Sequence, residues 1–420
     1  MSELNQLLQT YCPNGVEYKK LGDFATISRG GNFQKKDFID SGIPCIHYGQ
    51  IYTRYGLFAD KTFTFISPDC AKKQKMAVTN DIVMAVTSEN IEDVCKCIAW
   101  LGSEPAAVSG HTAIIHHNQD AKYLVYYLHS EMFFAQKRKI AHGTKVIEVT
   151  PDKLNDIIIP LPPLEIQREI VRVLDKFTML SAELSAELSA RQKQYGFYRE
   201  KLLSFNSDMQ YLPFGEVCTL KAGKAISSYD ISPTQTAEKS IPCYGGNGLR
   251  GFVKEANQNG NKSLIGRQGA LCGNVCYATG DYYATEHAIV VTDIGNFNSR
   301  FLYHLLTYKQ LNQYKTAGAQ PGLSVSRLET ILLPVPPIEM QNRIAHVLDN
   351  FDAICSDLNI GLPAEISARQ KQYEYYRDLL LSFKNIDNIT DRQTDRQTDR
   401  QTDRQTDRQR FGLPVLVYKK

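Results

Sequence analysis

The stretch Pro160-Leu-Pro-Pro-Leu-Glu-Ile-Gln-Arg-Glu-Ile-Val-Arg-Val-Leu-Asp-Lys-Phe177 returns as Pro334-Val-Pro-Pro-Ile-Glu-Met-Gln-Asn-Arg-Ile-Ala-His-Val-Leu-Asp-Asn-Phe351, 174 residues on. A second block, Ser189-Ala-Arg-Gln-Lys-Gln-Tyr-Gly-Phe-Tyr-Arg-Glu-Lys-Leu-Leu-Ser-Phe205, returns as Ser367-Ala-Arg-Gln-Lys-Gln-Tyr-Glu-Tyr-Tyr-Arg-Asp-Leu-Leu-Leu-Ser-Phe383, 178 residues on. Two long matched blocks at nearly one offset mean an internal duplication. Upstream of each pair the similarity is weak: Ile43-Pro-Cys45 echoes Ile241-Pro-Cys243, and Ala113-Ile-Ile115 echoes Ala288-Ile-Val290. The chain therefore reads variable, constant, variable, constant.

The constant blocks are helical by pattern. Pro-Pro ends the preceding strand and is tolerated in a first helical turn. Apolar residues then fall at three- and four-residue steps: Ile166, Ile170, Val173, Phe177, Leu180, Leu184, Leu188, and, after Arg191, Tyr195, Tyr198, Leu202 and Phe205. That spacing marks a coiled-coil seam. Residues 164–205, if continuous, span about 60 Å at the helical rise. The second copy repeats the stripe with Ile344, Val347, Phe351, Ile354, Leu358, Tyr373, Tyr376, Leu380 and Phe383, but Gly361-Leu-Pro363 interrupts it and predicts a kink or short break. One such helix cannot bury its stripe alone, so the two copies are expected to pack antiparallel.

The variable blocks carry short β-rich runs, Asp81-Ile-Val-Met-Ala-Val86, Thr112-Ala-Ile-Ile115 and Ala288-Ile-Val-Val-Thr292, with Gly, Asn and Asp between them. Each closes on a helical stretch, Tyr123–Ile140 and Ser299–Lys315. The expected class is α+β: two pseudo-repeated strand-rich domains separated and joined by two long helical segments. The segments are 1–159 and 206–333 for the strand-rich domains, 160–205 and 334–385 for the helices, and 386–420 for a tail. With 43% apolar and 22% charged residues the chain is globular in composition. No apolar run approaches the ~18 residues of a membrane span. The polar start Met1–Thr10 has no leader pattern, and the ten scattered cysteines suit a reduced cytoplasmic setting.

Catalytic motifs are missing. Gly260-Asn-Lys-Ser263 lacks the Gly-Lys pair of a phosphate loop, the Pro-Pro pairs lack the Asn/Asp and aromatic neighbours of an adenine methyltransferase motif, and no Glu-x-Lys follows Pro151-Asp152. Cys95, Cys97, Cys272 and Cys276 lack a second ligand pair at zinc spacing and read as buried thiols. A binding reading fares better. Net charge is only +3, and residues 1–159 carry 17 basic against 17 acidic side chains, residues 206–333 11 against 9. Any nucleic-acid contact must therefore come from local clusters: Lys35-Lys36, Lys72-Lys73-Gln-Lys75, Lys137-Arg138-Lys139 and Lys145 for phosphates. Tyr48, Asn247, Arg250, Arg267, Gln268 and Gln320, in loop or Gly-rich settings, are candidates for base edges. The competing reading is a coiled-coil scaffold with two β-rich interaction domains. Duplication of the Arg-Gln-Lys-Gln-Tyr block, which a generic scaffold does not need, argues against it.

The layout resembles the specificity subunit of type I restriction-modification enzymes. The match is carried by Pro162–Gln167 and Pro336–Gln341, by Ser189–Tyr195 and Ser367–Tyr373, by Gly361-Leu-Pro-Ala-Glu-Ile366, and by Gly266-Arg-Gln-Gly-Ala-Leu-Cys-Gly-Asn274 and Thr285-Glu-His-Ala-Ile289. The resemblance implies a non-catalytic DNA reader. Each variable block would be a target-recognition domain reading one half of a split double-stranded sequence. The constant helices, through Pro163, Gln167, Arg191, Gln192, Tyr195, Pro337, Gln341, Arg369, Gln370 and Tyr373, would form the spacer and dock two methyltransferase subunits. Restriction subunits would join indirectly. S-adenosylmethionine, ATP and Mg would belong to those partners, with no cofactor, metal or catalytic residue here.

Two repeats remain. Leu180-Ser-Ala-Glu-Leu-Ser-Ala-Glu-Leu188 is a tandem tetrapeptide inside the first helix. One unit changes helix length by about 6 Å and rotates it by about 40°. Thr390-Asp-Arg-Gln393 repeats five times through Gln409, a polar unit expected to be disordered or a solvated helix. A DNA tract of repeated ACAG reads as Thr-Asp-Arg-Gln, so slippage by one unit would shift the frame and make the ending phase-variable.

Overall fold

The computed structural model describes residues 2–269, 271–316 and 322–386, so Gln320 and the Thr-Asp-Arg-Gln tail lie outside the described residues. The described residues form two compact units: 2–180 with 369–386, and those of 181–368. Both unit boundaries fall inside helices, so each unit combines one strand-rich domain with the helical halves packed on it.

In unit 1, one sheet has the order Ala25–Arg29, Thr112–His117, Asp81–Ala85, Cys97–Trp100, Phe58–Ala59. Its centre, Asp81–Ala85, is buried at every residue, which is why that run is apolar without alternation. A second sheet runs Phe38–Ile39, Thr64–Ile66, Ile43–Ile46, Ala106–Val108, Lys75–Ala77. Unit 2 has Cys218–Ala222, Ala288–Asp293, Lys262–Gly266, Val275–Ala278 in one sheet, and Gly248–Val253, Ile241–Gly245, Asp281–Ala284, Gln258–Asn259 in the other.

Unit 2 repeats the strand order of unit 1 without its outer strands Phe38–Ile39 and Phe58–Ala59. The weak echoes in sequence fall on equivalent strands. Ile43–Ile46 pairs parallel with Ala106–Val108 and Ile241–Gly245 parallel with Asp281–Ala284, with Cys45 and Cys243 in register with Ala107 and Tyr283. Thr112–His117 and Ala288–Asp293 each lie second in their sheet. Gly30 and Gly223 hold equivalent close approaches, where an added Cβ would stand 2.1 Å from the carbonyl oxygen of Ser109 or Ala284. Each domain is also zipped shut at its base, Tyr18–Lys20 against Ile158–Pro160 and Tyr211–Pro213 against Leu332–Pro334, both antiparallel.

The helix over Tyr123–Ile140 is two helices, Ala121–Tyr127 and Glu131–Ile140. Ser130 breaks it: its hydroxyl accepts from Phe133 N and so caps a new start. Ser299–Lys315 is likewise shortened to Ser299–Tyr308 followed by a 3-10 turn, because Gln310 turns into the left-handed region at φ 46°.

The first constant block is one uninterrupted helix, Leu164–Leu203. The second is broken, Ile338–Ser356 and Leu362–Leu380, at the Gly361-Leu-Pro363 step. There the Asp357 carboxylate accepts from Asn359 N and Ile360 N, and Pro363 enters the first turn of the next helix. Ile166, Ile170 and Leu174 are buried in unit 1 in one cluster with Tyr373, Leu380 and Leu381, and Phe177 stacks on Tyr376 at 5.4 Å between centroids. In unit 2, Leu203 is buried with Ile344, Ala345 and Leu348, and Tyr195 and Tyr198 stack on Phe351 at 5.9 and 5.5 Å. No helix among the described residues is long and apolar enough to cross a membrane.

Candidate nucleic-acid interface

Unit 2 holds a concave site of about 720 Å³ lined by Gly245–Arg250, Gln268, Gly269, Leu271, His287 and Gly322. It is made by the turn between the strands Ile241–Gly245 and Gly248–Val253, whose Gly248 has φ 90°. The Gly246 carbonyl lies so close to Gly266 that no side chain fits there. Asn247, Arg250 and Gln268 are thus brought together, exposed, in one hollow. Arg250 reaches Ser228 Oγ at 3.4 Å, and Asn247 Oδ1 accepts from Asn274 Nδ2 at 3.4 Å. Both bonds are long enough to be exchanged for a ligand. Arg267 stands behind the hollow: its N–H donates to His287 O and its carbonyl accepts from Leu323 N, while its buried Nε has no partner among the described residues.

The equivalent edge of unit 1 is aromatic. Ser109 N donates to Ile46 O as Thr285 N donates to Tyr244 O, so Ser109-Gly-His111 and Thr285-Glu-His287 occupy the same place. Tyr48 N donates to Ser109 Oγ at 2.9 Å. The Tyr48 ring lies 4.6 Å from His47 and 4.9 Å from His111. Burial lowers the His47 pKa, and the nearby Lys35 and His111 charges add to that. Lys75 is in register with Val108, next to Ser109. Lys35, Lys75 and Tyr48 therefore belong to one edge, with Lys36 and Lys73 exposed nearby in sequence. Lys72 pairs with Asp69 at 2.9 Å, but both are so exposed that the pair contributes about 0–1 kcal/mol.

The cluster Lys137-Arg138-Lys139 does not act as one patch. Lys137 is buried and donates to the carbonyls of Glu92 and Val94, its pKa lowered by that burial. Arg138 lies over Phe134, exposed like Lys139 on the same helix, and Lys145 is exposed in the loop that follows. Sequence reasoning missed His111 and His287 as site members. The signals were the segment Thr285-Glu-His-Ala-Ile289, which contains His287, and the weak echo of Ala113-Ile-Ile115 in Ala288-Ile-Val290 just after the two histidines; neither marks them as site residues until the strands are paired.

The duplicated stem residues divide by burial. Gln167 is fully buried: its Oε1 accepts from Asp120 N and its Nε2 donates to Pro162 O and Gln119 Oε1. Gln341 repeats this on Asn298 N, Pro336 O and Asn296 O. Asp120 and Asn298 are N-caps of the domain helices, so each Gln ties a stem helix to its own domain and is closed to any partner. The repeated aspartates do the same. Asp175 accepts from Lys122 Nζ at 2.7 Å and Tyr126 Oη at 2.8 Å. Asp349 accepts from Arg300 Nη2 at 2.6 Å and His304 Nε2 at 2.7 Å. Burial works against the Asp349 charge, yet the bonds from Arg300 and His304 hold its carboxyl below the usual range. Tyr195 and Tyr373 pack inward, the latter beside Tyr126. Pro163, Pro337, Arg191, Gln192 and Gln370 are exposed. Arg191 and Gln370 bond along their own helix to Glu187 and Glu374, and Arg369 to Gln372.

All ten cysteines are free thiols. Among the described residues no cluster of three or more His, Cys, Asp or Glu could hold a metal ion.

The comparisons agree with this duplicated plan. The model of the type I restriction modification DNA specificity domain matches twice, over residues 13–191 and 206–368. The chain is 36% identical over 375 residues to the type I restriction enzyme EcoprrI specificity subunit of Escherichia coli, covering 85% of this chain and 93% of that one. It is 32% identical over 256 residues to the EcoR124I/EcoR124II specificity subunit of Escherichia coli, covering 55% and 63%. In fold it is similar to the type I S subunit from M. genitalium, with a TM-score of 0.59 at 18% identity over 87% of this chain and 96% of that one. It is also similar to a chain solved for the complex assembly and conformational transition of the type I system, at 0.54 and 16% over 87% and 97%. With its two matched domains, the chain belongs to the type I restriction-modification DNA specificity subunits.

Proposed function

We propose that the chain is a non-catalytic reader of a bipartite double-stranded DNA target. The strand-rich domain of unit 1 reads one half and that of unit 2 the other. The observation that carries this is the recognition edge built twice on one strand order, around Tyr48 and His111 and around Asn247, Arg250 and His287, from sequences that barely resemble each other. Equal scaffolds with different edge residues suit two different half-sites. The stem helices pair antiparallel as a spacer, supported by Phe177 on Tyr376 and by Tyr195 and Tyr198 on Phe351. Half-site spacing is then set by geometry, as in dimeric readers. Two methyltransferase subunits dock on this frame and bring S-adenosylmethionine. A restriction subunit brings the ATP- and Mg-dependent step, and the whole works in the cytoplasm.

Genome-wide methylation mapping in cells carrying the gene tests this. The expected result is one split motif whose halves change independently when the edge residues of unit 1 or unit 2 are exchanged. A gel shift of the purified chain adds the partner arm, with specific retardation appearing only when the methyltransferase subunit is present. Contiguous-motif methylation, or methylation by the chain alone, would refute the reading.

A further inference from the structure

The hairpin at the hollow of unit 2 carries an irregularity that its counterpart lacks. Cys243 pairs with Gly251 and Tyr244 with Leu249, so Arg250 is an extra residue on its strand, the mark of a β-bulge. In unit 1 the matching strand Ile43–Ile46 pairs with Thr64–Ile66 without a break, Cys45 opposite Thr64. Glycines flank the bulge. Gly251 lies so close to the Ser232 carbonyl that no Cβ fits there, and Gly248 takes φ 90° in the turn.

Neighbours on a regular strand point to opposite faces. Here Leu249 and Arg250 line the same hollow, because a bulge re-aims the side chain it carries. The stem of Arg250 then crosses Gly245, its Cδ 3.6 Å from where a Cβ would stand, and its guanidinium reaches Ser228 Oγ at 3.4 Å. The carboxylate next along the hollow, Glu286, pairs with His287 at 3.1 Å instead. Beside this charged fork, Leu249 and Leu271, each 56% exposed, offer apolar surface in the same hollow.

That combination selects among base edges. A two-stranded ribbon fits the major groove, where guanine shows two acceptors, N7 and O6, matched to an arginine fork, and thymine shows a methyl group matched to an apolar side chain. Neighbouring side chains on one face serve neighbouring base pairs, which stack about 3.4 Å apart.

We propose that unit 2 reads a guanine with Arg250 and the methyl of a thymine in the adjacent base pair with Leu249 and Leu271, and that the bulge is what brings the two kinds of side chain onto one base step. Unit 1, with an unbroken ladder and with Tyr48 and His111 at the same edge, reads its half by other contacts. This rests on the specificity-subunit reading above and names the bases that the unit 2 hollow takes.

The test is equilibrium binding of the full chain, together with its methyltransferase subunit, to duplexes carrying the split motif found by methylation mapping. The unit 2 half is identified as the half that changes when residues 206–333 are exchanged. Base analogues leave the protein intact: 7-deazaguanine lacks the N7 acceptor and deoxyuridine lacks the methyl group. At one guanine of the unit 2 half, 7-deazaguanine is expected to weaken wild type by about tenfold and to weaken Arg250→Ala no further. Deoxyuridine at the thymine of the adjacent pair is expected to weaken wild type by about fourfold, the effect of one buried methyl. It should leave the double variant Leu249→Ala, Leu271→Ala unmoved. A unit 2 half with no guanine beside an A·T pair, 7-deazaguanine acting equally on wild type and Arg250→Ala, or deoxyuridine without effect on wild type, each overturns the proposal. A complex that binds and methylates no split motif instead sinks the specificity-subunit reading on which it rests.

Discussion

Replacing Gln341 by alanine separates an internal anchor from a partner contact. Gln341 is 1% exposed and makes three bonds, accepting from Asn298 N at 2.7 Å and donating to Pro336 O at 2.8 Å and Asn296 O at 2.9 Å. Truncation leaves the Asn298 amide, at the cap of the helix Ser299–Tyr308, without its acceptor. An unsatisfied buried donor costs about 1–3 kcal/mol. Lost packing of the side chain adds about 1 kcal/mol. A total of about 3 kcal/mol in a unit of this size lowers the melting midpoint by about 6–12 °C. Gln341→Glu restores the acceptor but cannot donate to the two carbonyls and buries a charge, so it is expected to be worse than alanine. The assay is amide hydrogen exchange on the full chain together with calorimetry. Gln341→Ala should deprotect Asn298 and leave Asp120 protected, and Gln167→Ala should do the reverse. Gln192→Ala, on an exposed face, should change stability by less than about 0.5 kcal/mol. If Gln341→Ala leaves exchange and melting as in Gln192→Ala but abolishes methyltransferase binding, the anchor argument is wrong and the glutamine faces a partner.

Three further outcomes are expected. Burial holds His117 down to about 4, so its folded pKa lies below its unfolded value. The unfolded state takes the proton first, and stability drops as pH falls from about 6.5 toward 4, by about 2 kcal/mol at pH 5. Urea unfolding at pH 7 and 5 reads this, and an unchanged pH slope in His117→Gln refutes it. Deleting Ser185–Leu188, of which Ser185, Ala186 and Glu187 are exposed and Leu188 is half-buried, from inside the uninterrupted helix should shorten the methylated motif's gap by about one to two base pairs at the helical rise while both halves persist; an unaltered gap refutes the spacer. Arg250→Ala should weaken one half-site by about 1–3 kcal/mol and relax the base read there, whereas Lys73→Ala should weaken all sequences alike and lower the salt slope by about one; mapping and salt titration distinguish the two, and equal effects of both refute the assignment of Arg250 to a base edge.

Much of the site stayed illegible in sequence because its members are joined by strand pairing over long separations. Asn247, Arg250 and Gln268 were readable as polar residues in Gly-rich loops. That they share a hollow with His287 depends on the close approach of Gly246 to Gly266, which no local pattern carries. The run Lys137-Arg-Lys139 looked like a phosphate patch, but helical geometry sends Lys137 inward to two carbonyls while Arg138 and Lys139 stay in water. The aromatic edge of unit 1 likewise needs the parallel pairing of Ile43–Ile46 with Ala106–Val108 to bring Tyr48 beside His111.

The sequence alone determined the duplication, the α+β class, the helical stems and the break at Gly361-Leu-Pro363. Those properties are written in periodicity, in proline chemistry and in exact repetition, all of which act between residues near in the chain. Only the tertiary structure decided what the repeated residues are for. Gln167, Gln341, Asp175 and Asp349 repeat because each closes a hydrogen bond to its own domain some 40 to 50 residues away. A buried polar group must find such a partner wherever the fold places it, and a linear pattern cannot say where that is.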